Sequence, residues 1–500
     1  MSLQFRRGLA WAVAALFAVE ALTGLALAAY YAPSTTTAWA SVWYFDSQVA
    51  LGWLVRGMHR WAAHGLVIAA GVHLLAQVWS ASFRDVSRVQ WLVGLCVLPL
   101  ALGLAHTGFL LPGDQRAFFA SQILFGITSS IPLVGGAMAD LLRGGPAYGS
   151  LTLTHLYAAH LLVLPALFAW AGVRHLRQVE ENSILPAAIA TAGVLLVFAL
   201  AVWSHGAPLE APADAARAYP GRPEWYFYPL FELRHAFEGR WEWLATLGVP
   251  GVLFWALAKG KDSRVPLAPL AGLTLTGAAA LGLAPALRDR ADPTFQSMRR
   301  QADADAVQAR RLAELGVPAE GPAFLYKNDP VVWGERVFAQ KCAGCHAAAK
   351  KGPALEGYAS RAWLKAVIRE PHAPAFFGPT HLDDMDNWAG TDQDLAAVTE
   401  FVYAQAGHPD TDNPLATRGA RVFAEAGCSS CHGVDGHGTG LAPDLKGYAS
   451  LAWVGDFLRR PAAEVFYGAR NEMDAFDVRR LDDAEGAAVT AYLQRLSRAP

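Results

Sequence analysis

Two Cys-x-x-Cys-His motifs, Cys342–His346 and Cys428–His432, carry the most specific chemistry in the sequence. Thiols three positions apart share one helical turn and reach both vinyl groups of a haem, while the next residue, His, presents its imidazole to the iron. Zinc is the competing ligand for such a pattern, but it needs further Cys or His at similar spacing, and the tail has no other cysteine. Cys342, Cys345, Cys428 and Cys431 therefore predict two covalent c-type haems, with His346 and His432 on the irons. Each iron wants a sixth ligand. Beyond Met298 the tail holds two methionines, Met385 and Met473, one per motif and at similar distances after the histidines. Isolated in polar loops they are poor core fillers, so both are expected as ligands whose sulfur raises the potential. His372, His381 and His437 compete for that position, though they have no counterparts in the other copy.

A second set of candidates lies in apolar sequence. His59 and His73 fall in one long apolar run and His160 and His175 in another. At 100° per residue each pair returns near one helix face, with members roughly 21–22 Å apart along the axis. Ionisable side chains inside a membrane span are costly and invite a functional reading. If both helices run the same way, His59 pairs with His160 and His73 with His175, giving two stacked bis-imidazole sites for non-covalent haem. Gly24, Gly71 and Gly94 sit where a flat macrocycle or a neighbouring helix could approach. His64, His106, His155 and His205 lack such a pattern and are expected to be structural, as is the lone Cys96.

The elements that must position these groups follow from hydropathy. The chain is 53% hydrophobic and 17% charged, too apolar for an ordinary soluble protein. Seven apolar runs long enough to span a bilayer are expected near 8–30, 51–79, 90–111, 152–176, 184–205, 242–260 and 265–287. The stretch 117–142 is broken by Ile131-Pro132 and Gly135-Gly136 and reads as surface helices. A cleaved leader ending near Ala26-Leu27-Ala28 is the alternative for the first run, which is long for one. Arg6, Arg7, Arg84, Arg88, Arg174, Arg177, Lys259, Lys261 and Arg264 all fall on one set of sides, expected to be cytoplasmic, and Tyr31 to Trp53 contains no Lys or Arg. An odd number of spans then delivers the tail to the opposite, periplasmic side of a bacterial inner membrane. A net charge of −2 argues against a nucleic-acid binder.

The tail repeats itself with a period of about 90 residues. Gly334-Glu-Arg-Val-Phe338 recurs as Gly419-Ala-Arg-Val-Phe423, and Gly357-Tyr-Ala-Ser-x-Ala-Trp363 as Gly447-Tyr-Ala-Ser-x-Ala-Trp453. Asn328-Asp-Pro330 and Asp412-Asn-Pro414 introduce the copies. Two small helical domains are expected, each with one haem motif and its own methionine.

With these residues in view, the membrane part resembles cytochrome b of the quinol:cytochrome c oxidoreductases, the cytochrome bc complexes. The likeness is carried by Gly52-Trp-Leu-Val-Arg-Gly-Met-His59-Arg-Trp, Gly108-Phe-Leu-Leu-Pro-Gly-Asp-Gln115, Ile131-Pro-Leu-Val-Gly135, Thr152-Leu-Thr-His-Leu-Tyr-Ala-Ala-His160 and Pro223-Glu-Trp-Tyr226. It runs from about residue 5 to 287. The histidine spacing in the fourth span and the stop after a seventh are similar to the photosynthetic bf-type form, here as one chain.

The resemblance implies an all-α fold, a seven-helix cytochrome b bundle followed by two small cytochrome c domains. The implied organisation is a haem-binding bundle with a fifth span over 1–210, a quinol-site loop and two last spans over 211–290, a linker over 291–327, and c-type domains over 328–408 and 409–500. It implies two haem b and a quinol pocket at Pro223, Glu224, Trp225 and Tyr226, with Glu224 accepting a proton. It also places Arg56 and Arg60 on haem propionates. Partners would be membrane quinol, a Rieske iron–sulfur protein, and a soluble cytochrome c or terminal oxidase, in a homodimeric complex. Several features depart from the family. No Cys opens the first span to hold an extra haem, Gly113 replaces an aromatic residue, and His155 stands where Arg is common. Arg6, Arg177 and Glu180 are candidates for a quinone-reducing site. A rival class is a membrane-anchored conduit for a periplasmic dehydrogenase without bifurcation, which has no need of the Pro223–Tyr226 loop.

Overall fold

The computed structural model describes residues 3–176, 184–235, 237, 239–260, 267–347, 351–382 and 384–497. No β-strand forms among them. The chain divides into two compact units, Met1–Leu325 and Tyr326–Pro500.

In the first unit the long helices are α1 (Leu3–Ala28), α3 (Gly52–Trp79), α4 (Arg88–Leu110), α7 (Ser150–His175), α8 (Ile184–Trp203) and α11 (Leu267–Ala291), with the short α2 (Ala38–Gln48) before α3. All six long helices have the length and hydropathy to cross a membrane. Their outward faces keep Leu195, Leu196, Leu273 and Leu283 exposed, which suits hydrocarbon rather than water. α3 packs on α1, α4 and α8, and α4 on α7. Ala62, Leu66, Val67 and Ala70 of α3 are buried in the resulting core with Leu16, Ala101 and Phe168.

The segment expected as the sixth span is the shorter apolar helix α10 (Leu244–Gly260), which opens with one π turn. Lys261 and Arg264, which follow it, lie outside the described residues, as do Arg177 and Glu180. The stretch read as surface helices forms α5 (Gln115–Ser129) and α6 (Gly135–Arg143). Asp114 caps α5 by accepting the Ala117 N–H at 2.8 Å, and Pro132 with left-handed Leu133 (φ 70°) separates the two helices. A short helix, α9 (Tyr228–His235), follows the Pro223–Tyr226 loop.

The stretch 291–327, expected as a linker, is instead largely helical. α12 (Pro293–Ala313) starts at an Asp292 cap with Pro293 in its first turn, both strong start signals. Its small face, Ala302, Ala306, Ala309 and Ala313, is buried, and Arg299 and Arg310 tie it to Glu210 and to the Leu209 carbonyl. Alanines at helical spacing give a narrow face that packs closely, a signal the polar composition hid.

The second unit contains α13 (Pro330–Lys341), α14 (Arg361–Arg369), α15 (Asp392–Ala404), α16 (Asn413–Glu425), α17 (Leu451–Arg459) and α18 (Asp483–Ser497). The repeats agree closely in local structure. Asp329 and Asp412 cap α13 and α16, and Ser360 and Ser450 cap α14 and α17. Trp363 and Trp453 each donate an indole N–H to a carbonyl of the preceding loop, at 2.9 and 3.0 Å. The two repeats interlock within this one compact unit. The first helix of the first repeat packs on the last helix of the second, α13 on α18, and α16 packs on α15.

Two glycines fix these contacts. A Cβ on Gly334 would lie 2.0 Å from the Ala488 carbonyl oxygen, and one on Gly419 would lie 1.9 Å from that of Ala397. The phenylalanines four residues on meet the same helices, Phe338 against Tyr492 (5.5 Å between ring centres) and Phe423 against Phe401 (5.2 Å). One core cluster runs through both repeats and includes Val337, Trp363, Val398, Phe423, Trp453 and Val489. Because the obstacle at each glycine is backbone, Gly334→Ala and Gly419→Ala should each cost about 1–3 kcal/mol. A thermal melt followed at the haem absorption band of the tail checks this; unchanged midpoints would contradict the close packing.

Candidate functional site

The four membrane histidines meet in the expected pairs. The His59 and His160 rings are 6.1 Å apart between centres, nearly perpendicular, and those of His73 and His175 are 5.2 Å apart with Nε2 atoms at 3.0 Å. Fourteen positions separate His59 from His73 on α3, but fifteen separate His160 from His175 on α7. A π turn at Ala159–Val163 absorbs the difference, since such a bulge adds one residue without rotating the rest of the helix out of phase.

Threonines orient the upper pair. The Thr23 hydroxyl donates to the Val19 carbonyl at 2.6 Å and lies 3.0 Å from His59 Nδ1; Thr107 donates to the Gly103 carbonyl at 2.8 Å and lies 3.0 Å from His160 Nδ1. With their protons engaged, both hydroxyls offer a lone pair, so each Nδ1 carries the hydrogen and each Nε2 is left for a metal. A carboxylate oxygen of Glu20 also stands 3.0 Å from His59 Nδ1.

Glycines back three of the rings. A Cβ on Gly24 would lie 3.1 Å from His59, on Gly108 2.7 Å from His160 and on Gly94 3.3 Å from His175, while Gly71 has nothing within 4 Å. In the upper pair the fixed tautomers and the bare backbone of Gly24 and Gly108 fit a haem; in the lower pair the two Nε2 atoms face each other and Gly94 leaves room beside His175.

The upper pair opens on a cavity of about 420 Å³ that also reaches Arg60, Glu224 and Tyr226. The turn after Pro223 sends Glu224 inward, 6% exposed, and Trp225 outward, 49% exposed. Three groups surround the carboxylate, Arg60 at 3.4 Å, Arg116 at 3.6 Å and His64 Nε2 at 4.0 Å. The Trp225 indole donates to His64 Nδ1 at 3.3 Å. Burial, followed by the Glu224 charge, raises the Tyr226 phenol well above its usual range, so it remains a hydrogen-bond donor.

His64 and Arg116 are thus neighbours of Glu224 that sequence reasoning missed. Arg116 directly follows the Gly108–Gln115 motif, a signal that was available; His64 gave none. Arg56, expected on a propionate, lines the same cavity as His59 and is held by an ion pair. Its guanidinium pairs with Asp46 at 2.7 and 2.8 Å and donates to the Ala207 carbonyl, so a buried ion pair satisfies it. Arg6 donates to Ser80 at 2.8 Å. His155 bonds the Leu141 carbonyl, and His106 and His205 pack against Phe227 and Trp53.

In the second unit both Cys-x-x-Cys-His motifs follow the first helix of their repeat, and Ala343–His346 forms a short helical turn. His346 Nδ1 donates to the Pro353 carbonyl at 2.9 Å and His432 Nδ1 to that of Pro443 at 3.0 Å. These bonds again leave Nε2 for iron. Burial raises the Cys342 thiol to about 11. A Cβ on Gly352 would lie 2.9 Å from the His346 ring, so this side too is shaped for a flat group.

A cavity of about 470 Å³ is lined by Cys342, Cys345 and His346. Met473 of the other repeat also lines it, and Met385 is not among its walls. The physical reason is the helix pairing: α18, which packs on α13, brings the loop before it along.

Comparison with known proteins agrees with this division. The cytochrome b/b6/petB family matches residues 3–183, the cytochrome c oxidase cbb3-type subunit III family 331–402, and the cytochrome c family 416–497. The cytochrome bc complex cytochrome b subunit of Chlorobaculum thiosulfatiphilum is 32% identical over 276 residues, 50% of this chain and 64% of that one, so a little under two thirds of that relative's length is spanned. Cytochrome b6 of Mastigocladus laminosus is 36% identical over 168 residues, 34% of this chain and 78% of that one. A solved structure titled hyperthermophilic respiratory Complex III aligns at a TM-score of 0.40 and 17% identity, covering 61% of this chain and 93% of that one. The paired imidazoles lie inside the cytochrome b/b6 match and the two c-type motifs inside the two c-type matches: the chain belongs to the cytochrome b/b6 family, its membrane part followed by cytochrome c domains.

Proposed function

We propose that this chain is the cytochrome b/c subunit of a respiratory quinol:cytochrome c oxidoreductase that oxidises quinol on the periplasmic side and couples this to proton translocation. The observation that carries the reading is Glu224, a buried carboxylate facing the same cavity as His59 and His160. When bound, two haem b at His59/His160 and His73/His175 and two haem c in the tail would carry single electrons away from the quinol.

The remaining steps fall to the side chains. Arg60 and Arg116, at 3.4 and 3.6 Å, balance the Glu224 charge without closing over it, so the carboxylate keeps lone pairs for a quinol hydroxyl. A carboxylate so placed takes the hydroxyl proton as the quinol is oxidised and releases it towards the surface. Tyr226, kept protonated by burial, orients the quinol by donating to an oxygen, and Trp225 holds His64 beside the acceptor. Pro223 fixes the backbone before the turn so that Glu224 enters the cavity.

The partners on this reading are membrane quinol, a Rieske iron–sulfur protein that takes one electron, and a soluble cytochrome c or terminal oxidase. The complex would be a homodimer in a bacterial inner membrane. The tail is periplasmic if α10 crosses the bilayer. At ~1.5 Å per residue its 17 residues span about 26 Å, close to a hydrocarbon core of ~30 Å.

Glu224→Gln removes the proton acceptor and keeps the shape. In native membranes it should lower quinol:cytochrome c turnover on the order of a hundredfold with the haem spectrum intact. Normal turnover would leave the chain an electron conduit that does not oxidise quinol. The purified complex should give equal amounts of b and c haem in a pyridine haemochrome assay. His73→Ala should halve the b component and spare the c, and an unchanged b content would remove His73 from the ligand set.

A further inference from the structure

We propose that the two c haems are held across the repeats: iron bound through Cys342, Cys345 and His346 takes its sixth ligand from Met473, and iron bound through Cys428, Cys431 and His432 takes Met385. This rests on the tail binding haem at both motifs and is independent of the quinol reading.

Four observations converge on it. The cavity beside His346 is lined by Met473, and Met385 is not among its walls. The same cavity is floored by Trp453, Phe457, Val489 and Leu493, from α17 and α18 of the second repeat. The helix contacts fixed by Gly334 and Gly419 pair α13 with α18 and α16 with α15, so each motif helix packs on the last helix of the other copy. Finally, equivalent residues of the two repeats meet each other, Tyr358 with Tyr448 and Phe377 with Tyr467, both at 6.1 Å between ring centres. Contacts of like with like mark a pseudo-two-fold axis within the unit. That symmetry carries the Met473–His346 relation over to Met385 and His432.

Each motif end stays bonded to its own repeat past the second helix, the Ala354 N–H to the Ala375 carbonyl at 2.8 Å and the Asp444 N–H to that of Val465 at 3.0 Å, so the exchange lies in the methionine loop and last helix beyond. Ala359 (φ 58°) and Ala449 (φ 61°), in the two Gly-Tyr-Ala-Ser loops, adopt the left-handed conformation that disfavours a side chain. These loops stand between the motif end of each repeat and its last two helices. Neither repeat alone then contains a complete haem pocket.

Two measurements on the full-length purified chain test this. A zero-length carbodiimide coupling should join Lys341 to Glu485, whose Nζ and Oε2 stand 2.6 Å apart, and peptide mapping should recover that link. A link from Lys341 to Asp392 or Asp394, the corresponding start of α15, would overturn the exchange. The second measurement uses chains that retain one c haem. With Cys428→Ala and Cys431→Ala, Met473→Ala should abolish the far-red charge-transfer band of a thioether on ferric haem, and Met385→Ala should preserve it. With Cys342→Ala and Cys345→Ala the dependence should invert. Loss of the band on replacing the methionine of the same repeat, in either background, sinks the proposal. If one background fails to fold, the other and the cross-link map still decide. A tail in which the haemochrome assay finds no c haem would instead refute haem binding and leave the helix exchange to the cross-link.

Discussion

An imidazole inside an apolar helix loses water, and the structure is organised around supplying what water would have given. Leaving a polar ring unpaired in such surroundings costs on the order of 1–3 kcal/mol, and a span can tolerate it only where neighbours or a ligand compensate. In the upper pair Thr23 and Thr107 take one ring nitrogen of His59 and His160. The other nitrogen is thereby directed at the partner helix. For the second nitrogens to face each other at two levels, α3 and α7 must hold their histidines in register along the whole thickness of the bundle. The π turn at Ala159–Val163 keeps that register despite the extra residue in α7. The glycines on α1 and α4 follow from the same requirement, because a side chain at Gly24 or Gly108 would occupy the volume of the rings.

Much of this was legible in sequence because its causes are local or periodic. Bonding both vinyl groups requires two thiols on one turn, so the Cys342–His346 and Cys428–His432 motifs announce their chemistry without a fold. Runs of apolar residues reveal spans, and a helical period shows that His59 and His73 share a face. The π turn could not be read, since no residue type marks it. His64 and Arg116 reach Glu224 from α3 and α5, elements distant in sequence, and only the fold brings them within 3.6–4.0 Å. The ion pair of Arg56 with Asp46, ten residues earlier, was equally unreadable, since no motif describes it. The α12 stretch misled through composition, because charged residues on one face obscured an alanine stripe on the other.

The tail shows a different limit. A repeat in sequence states that two segments have the same local structure and the same packing preferences, yet it is silent on which copy satisfies which. Gly334 and Gly419 both require a last helix whose backbone can approach closely, and α15 and α18 are alike in offering one. Residue chemistry therefore does not choose between the separate and the exchanged arrangement. Geometry of the chain does. α15 ends at Ala404 and α16 begins at Asn413, so the two are sequence neighbours joined by a short connection. Helices so joined pack most readily as an antiparallel pair, with little entropy spent on closing the loop between them. Once α15 is taken by α16, the one remaining partner of matching shape for α13 is α18. The short link between the copies accounts for the interlocking of the two repeats in one compact unit.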